Sequence, residues 1–274
     1  MQLELAAEQL GLQLLAAPQA LSGGDIAAVC VIDTDQGRLV AKRDDAQRLA
    51  GEADGLRALA AHASPLVVPE VVGLAGDWLI MEFLERGSPQ PARLGEGLRG
   101  LHTVRRPAHG WEHDNACGRT PQPNTPCADG REFQRARRLL PLTELAGKRG
   151  LLSETDQQQL HAVANGLESW LPNVSASLIH GDLWSGNLLY SNRGPALIDP
   201  AVYRHYPEVD LAMLTLFGAP GDEFFEAYWN GSAPDDWPRR EALFQLYPLL
   251  NHLVLFGSGY RSGLLATLAR LEQF

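Results

Sequence analysis

The sequence is short of cysteine, of long apolar runs and of basic charge, and each shortage narrows the possibilities. Its three cysteines, Cys30, Cys117 and Cys127, cannot all pair within the chain. Nothing suggests a disulfide framework, so a reducing cytoplasm is the expected compartment. No apolar stretch approaches the roughly 20 residues that span a bilayer, so no membrane partner is expected. The first 15 residues carry Glu4 and Glu8 but no basic region. They are unlike a secretory leader and suit an amphipathic helix. Net charge is −10, whereas a binder of phosphate backbones is more often basic, so nucleic acid is not an expected partner. The one basic cluster, Arg135 with Arg137 and Arg138, reads as the solvated face of a helix. A Walker A loop and a Gly-x-Ser-x-Gly elbow are both missing, which argues against a P-loop NTPase and an α/β-hydrolase.

Hydrophobic residues make up 45% of the 274, enough to bury the core of one large domain or of two lobes. The first third alternates strand and helix signals. Residues 19–22 suit a short strand, and Ser22-Gly23-Gly24-Asp25 a tight glycine turn. Residues 27–33 and 38–42 are apolar, and Asp35-Gln36-Gly37 turns one back on the other, so a hairpin is expected. Residues 46–62 place Leu49, Ala53, Leu56, Leu59 and Ala60 at helical spacing, and Pro65 and Pro69 end that helix. Residues 71–74 and 78–83 read as two more strands about Gly76-Asp77. A polar run rich in Pro and Gly, 85–91, then marks a hinge. Beyond it the apolar periodicity is helical at 92–104, 131–147, 154–171, 208–217, 221–229 and 238–272, with a long loop at 105–130 and a non-helical segment at 178–200. The expected fold class is α+β. A small antiparallel sheet lobe with one crossing helix spans 1–84, a larger mainly helical lobe spans 85–274, and a ligand cleft lies between them.

The densest chemistry lies in His180-Gly181-Asp182-Leu183-Trp184-Ser185-Gly186-Asn187, followed by Ile198-Asp199-Pro200. An Asp, an Asn five residues on and a second Asp after a short strand supply what phosphoryl transfer from ATP requires. Asp182 can accept a proton from an attacking hydroxyl. Asn187 and Asp199 offer the oxygen ligands that Mg2+ prefers. Protein kinases use the same Asp-x-x-x-x-Asn and later Asp. His180 reads as a brace for this loop. Lys42 at a strand end and Glu52 on the crossing helix match the ion pair that positions ATP phosphates in such folds. Gly23 and Gly24 can bring backbone N–H groups close to phosphate. The segment Glu82-Phe83-Leu84, ending the sheet lobe, lies where an adenine would meet hinge backbone.

Other patterns are set aside. Gly95-Glu96-Gly97-Leu98-Arg99-Gly100 matches a dinucleotide fingerprint but sits in a helical run with no strand before it. His109 and His113 have helical metal-ligand spacing, but Gly110 and Trp111 between them argue for a loop. A loop as long as 105–130 is uncommon in a compact domain and is often functional. Trp111 in that loop, or Trp184, could stack on a sugar or pack in the core.

On these segments the chain resembles the fructosamine kinases, or ketosamine-3-kinases, over almost its whole length. The resemblance is carried by Ser22 to Ile26, Lys42, Gly51 to Leu56, Met81 to Leu84, Gly110-Trp111, Asp114-Asn115 and Thr120-Pro121-Gln122. It is most specific at His180 to Asn187, Ile198 to Tyr203 and Asp210-Leu211-Ala212-Met213. It implies a protein-kinase-like fold and ATP- and Mg2+-dependent phosphorylation of the 3-hydroxyl of a ketosamine, either a small molecule or a glycated protein. The family role it implies is deglycation. Asp182 would be the base, Asn187 and Asp199 the metal ligands, and Lys42 with Glu52 the phosphate-positioning pair, with 82–84 at adenine. Trp184, Trp111 and Asp114 are candidates for the sugar. The chain departs from the family pattern at Asp25, Ala27, 128–131 and 204–206. The quaternary expectation is a monomer or weak homodimer. Competing classes are an aminoglycoside or choline kinase, against which the segment after Asp199 argues, and a nucleotide-binding pseudokinase, whose marks would be loss of Lys42, Asp182 or Asp199.

Overall fold

The computed structural model describes residues 1–21, 28–63 and 65–274. The glycine turn with Gly23 and Gly24 lies outside the described residues. The first helix, α1 (Leu3–Gln9), is shorter than the leading amphipathic helix expected. Gly11 adopts φ +73°, a left-handed conformation that ends the helix where a larger side chain would be strained.

A five-stranded antiparallel sheet follows, built from β1 (Gln19–Ala20), β2 (Ala28–Thr34), β3 (Gly37–Arg43), β4 (Val71–Ala75) and β5 (Trp78–Glu82) in the order β1-β2-β3-β5-β4. Helix α2 (Ala46–Ala60) connects β3 to β4. Successive side chains on a strand point to opposite faces, and this alternation sorts the sheet into two layers. Leu39, Ala41, Trp78 and Ile80 pack with Leu3, Ala6 and Ala7 of α1. Val40, Leu79 and Met81 face the other way, onto Leu49, Ala53 and Leu56 of α2. Lys42 shares the face of Val40 and is thereby aimed at α2. Asp45 caps that helix, accepting the backbone N–H groups of Gln47 at 3.0 Å and Arg48 at 3.2 Å, a contact worth about 1 kcal/mol.

The linker after β5 leads into α3 (Pro91–His102), whose proline sits in the first turn where no N–H is needed. The loop 105–130 is more structured than its sequence suggests. It holds β6 (Arg105–Arg106) and a hairpin of β7 (Asn115–Cys117) and β8 (Thr120–Gln122). Then come α4 (Gly130–Phe133), a π-helical stretch Gln134–Leu139, α5 (Leu140–Lys148) and α6 (Glu154–Asn165). The non-helical segment supplies β9 (Ala176–Ile179), the hairpin β10 (Leu188–Ser191) and β11 (Gly194–Leu197), and β12 (Tyr203–His205). Strands β12, β9 and β6 form a small sheet. The chain ends in α7 (Glu208–Leu216), α8 (Asp222–Trp229), α9 (Trp237–Phe256) and α10 (Arg261–Leu271). The single periodic run expected over 238–272 is thus two helices, separated where Gly257 adopts φ +91°.

Arg138 corrects the expectation of a solvated basic face. It is fully buried, with its guanidinium 4.1 Å from the Tyr203 ring centre and 4.6 Å from that of Phe133. Its N–H groups donate to Pro123 O at 2.8 Å and Asn124 Oδ1 at 2.6 Å. A π-helical turn adds a residue per turn, so the phase read from an α-helical period does not hold here. The aromatic faces and carbonyls offset the desolvation of the charge.

His109 is no metal ligand either. Its Nδ1 lies 2.8 Å from Nδ1 of His205, and its Nε2 meets Val174 O at 3.0 Å. Burial depresses the pKa of both rings. The folded protein holds them neutral, whereas the unfolded chain protonates them below about 6.5. The unfolded state therefore takes up protons first, and stability is lost as pH falls through that value. The melting temperature is expected to drop by roughly 2–5 °C between pH 6.5 and 5, and by less in His205→Asn. An unchanged melting temperature over that range, measured by circular dichroism, would count against the neutral pair.

Candidate functional site

Strand β3, helix α2 and the turn after β11 bring three charges together. Lys42 Nζ lies 2.7 Å from Glu52 Oε2 and 3.0 Å from Asp199 Oδ1. The side chains of Lys42 and Glu52 are nearly enclosed, at 11% and 12% exposure, while that of Asp199 is 44% exposed and opens outward. Burial works against the Lys42 charge, but the two carboxylates overcome it and hold the ammonium above its ordinary pKa. Burial pushes the Glu52 carboxyl up, to about 7, against the pull of Lys42. One Glu52 oxygen, Oε1, is buried without a partner. Asp199 sits at φ +53°, a left-handed conformation uncommon outside glycine and costing about 1–2 kcal/mol.

Asp182 and Asn187 stand on the other side of Asp199. The Asn187 amide nitrogen donates to Asp182 O at 2.8 Å, Asp182 Oδ2 at 3.1 Å and Asp199 O at 3.5 Å. Its NH2 group is thereby committed, which leaves the amide oxygen for a cation. Burial pushes the Asp182 carboxyl up to about 7, against hydrogen bonds from Asn187 and the Cys117 thiol. Such a group can both accept and release a proton near neutrality.

The loop that carries Asp182 is fixed from below. Fully buried Asp210 on α7 accepts the backbone N–H of His180 at 2.7 Å and of Gly181 at 2.9 Å. His102 Nε2 meets the same carboxylate at 3.2 Å. Gly181 adopts φ +83°, and a Cβ there would meet Ala201 O at 2.1 Å, so only glycine fits. His180 is the expected brace: its Nε2 meets Ile198 O at 2.9 Å, and its Nδ1 accepts the Asp182 N–H at 3.3 Å. Asp210 and Cys117 are supports that residue-type reasoning left without a role. The signal for Asp210 was an acid inside an otherwise apolar helix run, Leu211-Ala212-Met213-Leu214, which demands a buried donor.

The remaining sequence candidates are spread more widely. Glu82 ends β5 with its carboxylate 2.8 Å from Arg193 Nη2. Phe83 lies beneath the Arg38 guanidinium, 5.5 Å from the ring centre, and Leu84 is buried. Trp184 is 37% exposed and begins an aromatic row. Its ring lies 6.2 Å from Phe217, Phe217 lies 5.0 Å from His252, and His252 lies 5.5 Å from Phe256 and 5.0 Å from Tyr260. Trp111 and Asp114 do not face this row. The Trp111 indole is buried and donates to Asp54 Oδ2 at 2.7 Å, and the Asp114 carboxylate accepts the Asn124 backbone N–H at 2.7 Å. The length of their loop is used to dock it, which a count of loop residues cannot reveal.

Among the described residues no group of three or more His, Cys, Asp or Glu is placed to hold a metal ion by itself. Asn187 and Asp199 nevertheless offer hard oxygen donors. Magnesium is ordinarily held by one or two carboxylates with substrate phosphates completing its shell, so this donor set fits it.

A sheet with one crossing helix, a Lys–Glu–Asp contact beneath it and an Asp–Asn loop opposite define a protein-kinase-like phosphotransferase. An aminoglycoside phosphotransferase solved with AMP-PNP and hygromycin B shares this fold at TM-score 0.67 and 16% identity, covering 98% of this chain and 96% of that one. The chain belongs to the fructosamine kinase family, whose model matches residues 3–273. A Lactiplantibacillus plantarum protein named "probable ketoamine kinase" is 35% identical over 261 residues, 92% of this chain and 93% of its own. The chloroplastic protein-ribulosamine 3-kinase of Arabidopsis thaliana is 34% identical over 258 residues, 89% of this chain and 78% of its own. A Thermobifida fusca crystal structure, provisionally named a fructosamine-3-kinase, superimposes with TM-score 0.89 at 32% identity over 98% of this chain and 97% of its own.

Replacing Lys42 tests the charge cluster. Lys42→Met leaves Glu52 and Asp199 facing each other without a cation, which is expected to cost about 3 kcal/mol at pH 8. The loss should shrink as pH falls from 8, because without Lys42 the Glu52 carboxyl takes up its proton above its present value of about 7 and the repulsion is relieved. A loss of melting temperature that stays constant from pH 8 to 6 would show that the carboxylates are not coupled through Lys42.

Proposed function

We propose that the chain phosphorylates the 3-hydroxyl of a ketosamine, using ATP and Mg2+, and so promotes deglycation. The observation that carries this reading is the meeting of Asp182, Asn187 and Asp199 with the Lys42–Glu52 pair in a member of the fructosamine kinase family. In this reading residues 1–84 form the nucleotide lobe and 85–274 the catalytic and acceptor lobe.

The ketosamine oxygen attacks the γ-phosphorus, the bond to the β–γ bridging oxygen breaks, and ADP leaves. Asp182 takes the proton of the attacking hydroxyl. A loose transition state asks little of the base, so its main duty is to orient that hydroxyl in line. Lys42, held in place by Glu52, lies against phosphate oxygens and neutralises charge there. Magnesium, when bound, supplies further neutralisation and a template between phosphates, and Asn187 and Asp199 are the residues that would hold it. The adenine meets the backbone of Glu82, Phe83 and Leu84, whose side chains are engaged elsewhere or buried. Gly23 and Gly24 would cover the phosphates.

On the acceptor side the exposed Trp184 stands two residues from Asp182. A sugar ring offers C–H groups to an aromatic face, so Trp184 is the stacking platform in this reading. A phosphate on C3 is a far better leaving group than hydroxide. Its loss from the 1,2-enaminol form leaves an imine at C1, and water hydrolyses that imine to free the amine and leave a dicarbonyl sugar.

The acidic chain with three free thiols suits a cytoplasmic enzyme, a monomer or weak homodimer. Among the described residues no helix is long and apolar enough to cross a membrane.

Two experiments bear on this. Asp182→Asn is expected to lower kcat by roughly 10²–10⁴-fold while ATP still binds; retained turnover would remove Asp182 from the role of base. A panel of fructoselysine, ribuloselysine, choline and an aminoglycoside should show ATP consumption with the ketosamines only. NMR of the product should place phosphate on O3. Turnover confined to choline or the aminoglycoside would overturn the substrate assignment.

A further inference from the structure

The Lys42–Glu52 contact depends on where α2 sits, and one face of α2 is built for a purpose the nucleotide site does not explain. Leu49, Ala53 and Leu56 bind the helix to its own sheet. The neighbouring stripe, Gly51, Asp54, Gly55 and Ala58, turns to the other lobe. A Cβ on Gly51 would stand 3.1 Å from Asn115 Cβ, and one on Gly55 would stand 3.0 Å from Val202 Cγ2 and 3.2 Å from Pro200 Cγ. Glycine inside a helix is disfavoured relative to alanine, so two on one face mark a close approach. Gly55 permits the helix backbone to lie directly against the segment that follows Asp199, and Gly51 permits it to lie against Asn115 of β7. Between them, Asp54 Oδ2 accepts the indole N–H of buried Trp111 at 2.7 Å. Ala58 packs on the core of the helical lobe.

The platform under that stripe is itself rigid. Trp111 N donates to Asn124 O at 2.8 Å, and Gly110 and Arg204 exchange backbone hydrogen bonds at 2.8 and 2.9 Å. The Arg204 guanidinium covers the Trp111 ring at 4.3 Å and reaches Glu112 at 3.0 Å. Asn115 Nδ2 donates to Val202 O at 2.8 Å. Helix α2 is therefore docked on Pro200 and Val202, one and three residues after Asp199.

We propose that Asp54 and Trp111 are positioning residues: their hydrogen bond docks α2 on the catalytic lobe and keeps Glu52 on Lys42, so the ATP site stands assembled without an activating partner or modification. This rests on the reading of Lys42, Glu52 and Asp199 as the phosphate site, but not on the identity of the acceptor.

The test is binding of MgATP alone, by titration calorimetry, with circular dichroism melts to establish folding. Asp54→Ala and Trp111→Phe should each weaken MgATP by about 5- to 10-fold. Asp54→Asn keeps an acceptor for the indole and should bind close to wild type. Trp111→Phe keeps a ring on Arg204 and removes only the donor, so it carries the test if Asp54→Ala does not fold. In a Glu52→Gln background, where the residue served by the clamp is already altered, Trp111→Phe should add less than about twofold; a merely structural contact would add its full effect. Unchanged MgATP affinity in folded Trp111→Phe, or a full additional loss on Glu52→Gln, overturns the proposal. Failure of wild type to bind MgATP overturns it together with the phosphate-site reading. MgATP binding without turnover of any ketosamine overturns only the acceptor assignment.

Discussion

One buried cation facing two carboxylates organises this molecule. Lys42 and Glu52 come from a strand and the helix that follows it, Asp199 from a turn far along the chain, and the ammonium lies between the two carboxylates. A lone ammonium at that depth would be driven to its neutral form, and a lone carboxylate would take up a proton. In the assembled set the carboxylates keep the Lys42 ammonium charged, while burial holds the Glu52 carboxyl at about 7. The cluster therefore tolerates little displacement of any of the three elements, and much of the surrounding structure restricts such displacement. The sheet aims Lys42, α2 presents Glu52, and Asp210 holds the start of the loop that leads, through β10 and β11, to Asp199.

The loop that carries Asp182 shows the same economy. Asp210, His180 and Gly181 fix the backbone at Asp182 through buried hydrogen bonds and a turn that only glycine fits. Buried, fully bonded polar groups of this kind specify one arrangement because every alternative leaves a donor unpaired. Trp184, by contrast, is left partly exposed at the edge of an aromatic row.

Much of this was legible in the sequence. The strand alternation that sends Lys42 and Val40 to one face and Leu39 and Ala41 to the other is a period-two pattern visible in Leu39-Val40-Ala41-Lys42. The spacing of Asp182, Asn187 and Asp199, with β10 and β11 between them, encodes their convergence through local chain geometry. What was not legible depended on tertiary context. Arg138 enters the core because a π-helical turn shifts its phase and the rings of Phe133, Tyr203 and Tyr247 surround its guanidinium. Trp111 and Asp114 sit in a segment whose sequence reads as a free loop. Their partners, Asp54 and Asn124, are chosen by the fold and not by spacing. Asp210 was visible as an acid in an apolar run, but its partners are backbone N–H groups, which leave no trace in residue type.

The linker between sheet and helices has a further consequence. Gly87 N donates to Tyr190 O and Asn192 N to Glu85 O, at 2.8 and 2.9 Å, while Val67 N and Leu197 N pair with Pro195 O and Val67 O at 2.8 and 2.9 Å. The chain on both sides of the sheet is thus stitched to a single hairpin, β10–β11, whose far end carries Asp199. A hinge made this way is a weld more than a pivot. Any tension applied to the linker is delivered to the turn that bears Asp199.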